Sequence, residues 1–184
     1  LVVKALEEPH VDFAIDAWAV LPGDRGRGHE RFRLGNARGG FLMPKLNYGN
    51  ARIVRANRHL FLQGQTGMSL DGLDFDGAGD PARQAVVALE NVRELLADAD
   101  ATLNDICKVV FYLTDPSYGE LVYPALADVL DDVYPVVTGT VVKDLARPEL
   151  DLEIDVFAMV PGEGGHRRFR VAPSDLLGYR VSQA

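Results

Sequence analysis

Three acidic residues stand two apart near the end of the chain: Asp151, Glu153 and Asp155, in the stretch LDLEIDVFA. In an extended strand residues i and i+2 share a face. The three carboxylates are therefore expected on one side, with Leu150, Leu152, Ile154 and Val156 buried on the other. Acids in this pattern form either a solvated sheet face or a site. If a neighbouring subunit covers the face, a carboxylate there loses water and its pKa rises. That suits it to proton transfer or to holding a water molecule.

Other chemistries find less support. Cys107 lies in the apolar run ICKVVFYL, read as a central buried strand, where a thiol packs as a small core residue. His10, His29, His59 and His166 do not stand at ligand spacing with one another. His29 and His166 are expected in surface loops. Asp71, Asp74, Asp76 and Asp80 lack the alternating spacing and terminal Glu of a calcium loop, so they read as a solvated loop ending in a helix cap. No phosphate loop, dinucleotide fingerprint or nucleophile elbow is present. Neither a metal nor a cofactor is expected.

The elements that must position the acids follow from patterning. Residues 51–57 and 59–65 read as a hairpin turning at Asn57-Arg58. Residues 80–99 read as a helix: Asp80 caps it, Pro81 opens it, and Val86, Leu89, Val92 and Leu96 form a stripe. Residues 106–113 are a strand, Asp115-Pro116 opens a second helix to about Leu130, and 136–143 and 150–160 are the last strands. The order β-β-α-β-α-β-β gives an α+β mixed sheet with two helices on one face. The other face also needs cover, which predicts an oligomer.

The closing stretch also occurs at the start of the chain. VVKALEEPHVDFAIDAWAVLPG (2–23) lies over VVKDLARPELDLEIDVFAMVPG (141–162) at constant offset, and HERFR (29–33) over HRRFR (166–170). This divides the chain into 1–34, a partial repeat ending an upstream copy; 35–47, a linker; 48–161, a complete domain; and 162–184, an extension. Residues 1–20 are expected to form closing strands of a sheet. The position of Glu153 is Ala14 in the first copy, so only the second keeps that carboxylate.

A net charge of −8 argues against nucleic acid and against anionic membrane surfaces. No apolar run approaches the roughly 20 residues of a membrane span. A single cysteine excludes an internal disulfide. The first residues have neither the charged nor the long apolar part of a signal peptide, so a cytoplasmic protein is expected.

The phrases NYGNARIVRANRHLFLQGQTG, DPARQAVVALENVRELLADADATLNDICKVVFYLTD and YPVVTGTVVKDL…LEIDVFA, in this order, resemble the RidA/YjgF family of reactive intermediate deaminases. The resemblance implies a chorismate-mutase-like subunit in a homotrimer with clefts between subunits. It also implies hydrolysis of imines or enamines, as small-molecule ligands, without metal or cofactor. Tyr48 falls on the family's cleft tyrosine, Gly64 on a glycine near the ligand, and Glu153 on the carboxylate that holds water. Gln63 stands where serine or threonine is common, and Gly139 where cysteine is frequent; Thr138 would offer a hydrogen bond. The family's substrate-gripping arginine is Val137, so the usual 2-iminocarboxylates are expected to bind poorly. Lys143 or Arg147 would supply a replacement charge. The alternative is a non-catalytic ligand-binding or scaffold member.

Overall fold

The computed structural model describes residues 3, 17–21, 29–35, 50–70, 74–163 and 165–166. Nine elements follow in order: β1 (Glu30–Gly35), β2 (Asn50–Ala56), β3 (His59–Leu62), β4 (Gln65–Thr66), α1 (Pro81–Asp98), β5 (Ile106–Leu113), α2 (Gly119–Leu130), β6 (Val136–Val141) and β7 (Leu152–Met159). They form one sheet ordered β1-β2-β3-β7-β5-β6, with β4 also on β7. The pairing is antiparallel except between β5 and β6, so the sheet is mixed as expected. From β2 onward the element order is also the expected one.

α1 begins where its sequence says. The Asp80 carboxylate accepts from the Arg83 backbone N–H at 2.9 Å and Pro81 takes the first turn. Ala85, Ala88, Leu89, Val92, Leu95 and Leu96 are buried on one stripe of the helix. All of these but Leu95 join Leu152, Ile154 and Val156 of β7 and Val109 and Phe111 of β5 in a single core. β7 alternates between buried and half-buried residues along its length, as a strand with one covered face must. Residues 106–113 are central by pairing, yet only one of their faces is buried.

Three local expectations are corrected. The strand expected over 59–65 is broken. β3 pairs Phe61 with Phe157, while β4 pairs Gln65 with Ile154, so four residues span the space of three on β7. Gln63 and Gly64 take up the extra residue, and the Gln63 N–H turns to Arg52 O at 2.8 Å. Cys107 is exposed because the ladder slips one residue between Ile106 and Lys108. Asp151 does not share the acidic face: it precedes β7, and its carboxylate accepts from Gln84 of α1 at 2.7 Å. Gln84 is fully buried there and also accepts the Asp151 N–H.

Residues 30–34, placed with the partial repeat, belong to β1 and pair with β2 in this same sheet. Of residues 1–20, only 3 and 17–20 are described, and none of these is in a strand. Gly35, the first residue of the expected linker, ends β1, while residues 36–47 and most of the 162–184 extension lie outside the described residues.

Candidate functional site on the open sheet face

The helices cover one face of the sheet. On the other, register places side chains in transverse rows. Glu153 of β7 lies beside Thr66 of β4 and Tyr112 of β5, and Tyr112 lies beside Thr140 of β6. In the adjacent row Asp155 lies beside Val110, and Val110 beside Thr138. The Tyr112 hydroxyl reaches between rows and donates to Asp155 Oδ2 at 3.1 Å.

The bulge at Gln63–Gly64 brings backbone against these acids. A Cβ on Gly64 would collide with Glu153 Oε1 and come within 3.0 Å of Asp155 Oδ1. Only a glycine lets the chain pass this close to two carboxylates. Gln63 Oε1 is buried with no partner among the described residues. A buried acceptor of that kind would be satisfied by a water or by a donor on a ligand.

Burial raises the Glu153 pKa, and the neighbouring Asp155 charge raises it further. Burial also raises Asp155, partly offset by the Tyr112 hydrogen bond. A carboxyl with a raised folded-state pKa holds its proton in the native chain after the unfolded chain has lost it. Stability therefore falls as pH climbs from the ordinary carboxylate range through the folded-state values. Asp155→Asn is expected to raise the melting temperature by roughly 2–4 °C near neutral pH and to change it little at about pH 4. Thermal scans at the two pH values check this; an equal gain at both contradicts it.

Beside the acids lies an open cavity of about 840 Å³, walled by Asp155, Tyr112, Thr138, Thr140, Lys108 and Trp18 among others. The aromatic wall is Phe61 and Phe157 with Trp18 edge-on to Phe157, the centroids 6.5 Å apart at 71°. Trp18 and Phe157 stand at matching positions of the similar stretches 2–23 and 141–162.

The remaining sequence-derived residues divide. Thr138 faces the cavity, and Gly64 touches Glu153. Asp155 lines the cavity, and Glu153, two residues away on the same strand face, is not among its lining residues. Val137 lies beside Val109, and Gly139 packs on Phe111, so both face the helix layer instead. The space a cysteine at 139 would use holds the Phe111 ring, 2.7 Å from an added Cβ, and the Tyr123 hydroxyl. Lys143 is exposed and lines a separate cleft with Val3. Arg147 is taken by Glu149 at 3.1 Å. Tyr48 lies outside the described residues. Both loop histidines are half-buried and bonded: His29 Nε2 meets Val20 O at 2.6 Å, and His166 Nε2 meets Asp105 Oδ1 at 3.1 Å.

Sequence reasoning passed over Lys108, Tyr112 and Trp18. Period-two alternation in residues 106–113 carried the signal for the first two, because Lys108, Val110 and Tyr112 share a face. Among the described residues no group of three or more His, Cys, Asp or Glu could hold a metal ion, and no helix is long and apolar enough to cross a membrane.

An α+β sheet with two helices on one face and paired acids on the other defines a class of small subunits. The endoribonuclease L-PSP family profile matches residues 43–160, and the chain belongs to that family, the YjgF/Rid proteins. Solved structures agree. Protein YJGH is 29% identical over 73% of this chain and 99% of its own, with TM-score 0.57. Rv2704 of Mycobacterium tuberculosis, a YjgF/YER057c/UK114 family member, is 26% identical over 72% of this chain and 100% of its own, with TM-score 0.58. YyfA of Yersinia pestis, of the conserved Rid family, is 20% identical over 72% of this chain and 100% of its own. Its TM-score of 0.61 speaks to the fold alone.

Proposed function

We propose that the protein is a cofactor-independent hydrolase of imines or enamines, acting at the Glu153–Asp155 pair on the open sheet face. The observation that carries the reading is the pair itself: two adjacent carboxyls, both with raised pKa, beside a cavity fit for a small molecule. Two such groups titrate as a unit, so one proton shared between them persists to higher pH than on either alone. The ionised member takes a proton from water as its oxygen adds to the imine carbon. The protonated member gives a proton to nitrogen. The carbinolamine then expels ammonia as the carbonyl forms, so imine plus water yields carbonyl plus ammonia. Thr138 and Tyr112 offer hydrogen bonds at the cavity wall, and the resemblance assigns Tyr48 to the same cleft. A ribonuclease reading fits poorly, since a charge of −8 and two acids in the site repel a phosphodiester.

Outside the cavity the open face is closed by neighbouring copies, most simply in a trimer. Light scattering should return three times the chain mass; a monomer in solution contradicts this part. The enzymatic reading is tested by ammonia release from imines generated in situ by an amino-acid oxidase. Failure to accelerate any of a neutral, acidic and aromatic set rejects it.

A second reading, a ligand-binding member without catalysis, draws on Val137. It stands at the position of the substrate-gripping arginine and lies beside Val109 on the helix side of the sheet. Glu153→Ala leaving every measured activity unchanged would favour this reading.

A further inference from the structure

Resting on the hydrolytic reading of the open face, we infer that the site takes substrates with an aromatic body and a carboxylate, and that Lys108 and Trp18 select them. Lys108 would hold the carboxylate.

One transverse row forms the floor of the cavity. Register sets Arg31 beside Val54, Val54 beside Phe61, Phe61 beside Phe157, and Phe157 beside Lys108. The row is thus an apolar and aromatic floor with a cation at each end. Trp18 stands edge-on to Phe157 and also lines the cavity. A flat hydrocarbon body packs well among three such rings, which offer large apolar area and favourable edge and face contacts. Saturated polar ligands would leave that area wet.

The cations decide the other end of the ligand. Lys108 Nζ stands 5.9 Å from the Phe157 centroid, and among the described residues it enters no ion pair. An ammonium on the rim of an apolar cavity, with no ion pair among the described residues, is a natural anchor for a carboxylate. Arg31 is four strand spacings away, about 19 Å, so the two cannot grip one carboxylate together. Lys143 lines a different cleft, and Arg147 is held by Glu149.

Position links the anchor to the acids. Phe157 pairs with Lys108, and Asp155, two residues away on the same face, pairs with Val110. Lys108 and Asp155 are diagonal neighbours, about 7–8 Å apart at the backbone. A carboxylate at the lysine then leaves the adjoining carbon near the acid pair. The lysine charge also offsets the repulsion that Glu153 and Asp155 would exert on an anion.

Trp18 is the sole tryptophan of the chain, so intrinsic fluorescence reports on this cavity. Phenylacetate and its uncharged counterpart phenylacetamide serve as probes on the whole chain. Phenylacetate should give a saturable change. Lys108→Met should weaken it about tenfold while leaving phenylacetamide unaltered, and Lys108→Arg should restore most of the loss. No saturable response to phenylacetate, or equal weakening of both probes by Lys108→Met, overturns the inference. Ammonia release is scored separately. Selective phenylacetate binding without turnover of any imine supports the anion site and rejects hydrolysis. Turnover of an aromatic 2-iminocarboxylate indifferent to Lys108→Met rejects the anion site and leaves hydrolysis standing.

Discussion

Glu153→Gln is expected to lower kcat/KM for imine hydrolysis by about 10²–10⁴-fold, the range for loss of a positioned proton-transfer group. Glutamine keeps the shape of the side chain and its fit against Gly64, but it can neither take a proton from water nor give one to nitrogen. The loss should therefore fall on kcat, with KM changed little, as for an interaction made in the transition state. The fold should not suffer. Burial and the Asp155 charge both disfavour the ionised Glu153, so removing the charge relieves the native state. A variant that melts no lower than the parent yet has lost its turnover separates catalysis from structure. Steady-state kinetics and a thermal scan on the same preparation provide the check. A variant with parental kcat would place the chemistry elsewhere.

Phe111→Ala is expected to cost about 3–5 kcal/mol of stability, the range for emptying a buried phenylalanine site. The Phe111 ring is fully buried. It meets Tyr123 edge-on at 5.0 Å and 83°, and it fills the space left by the missing side chain of Gly139. Few groups around it can collapse into the gap, because Gly139 has no side chain to move. Against a total of about 5–15 kcal/mol for a domain, this is severe. The melting temperature should fall by roughly 10 °C or more. β5 carries Phe111 on the core side and Lys108, Val110 and Tyr112 on the open side, so the cavity wall should loosen with the core. Phe111→Leu should recover much of the loss by refilling volume. Urea titration of the three proteins checks the order, and a Phe111→Ala loss below about 1 kcal/mol would deny the ring its central place.

Much of this architecture is written locally. The Asp80 cap, Pro81 and the apolar stripe set the start and the buried face of α1 within a few residues. The run from 106 to 113 matches β5 residue for residue. The pairing of Glu153 with Asp155 on one face needed only strand periodicity. What escaped depends on partners distant in sequence. The bulge at Gln63–Gly64 exists because β3 and β4 share β7 with one residue to spare, and that count appears only once all three strands are paired. Cys107 leaves the core for the same kind of reason, a slip against β7. Asp151 leaves the acidic row because buried Gln84, far back in α1, competes for its carboxylate. Lys108 lay within a run that read as largely apolar, so its alternation with Val110 and Tyr112 carried little weight. The place of Trp18 beside Phe157 depends on a contact between residues 139 positions apart, which periodicity does not address.

The most direct test of the central claim is the rate of carbonyl formation from an aromatic imine made in situ, followed side by side with the parent protein and with Glu153→Gln. An open-face site working through the carboxylate pair predicts a rate with the parent well above the protein-free reaction and a rate with Glu153→Gln close to it. Two superimposable traces, whether both fast or both at the protein-free rate, would contradict that claim.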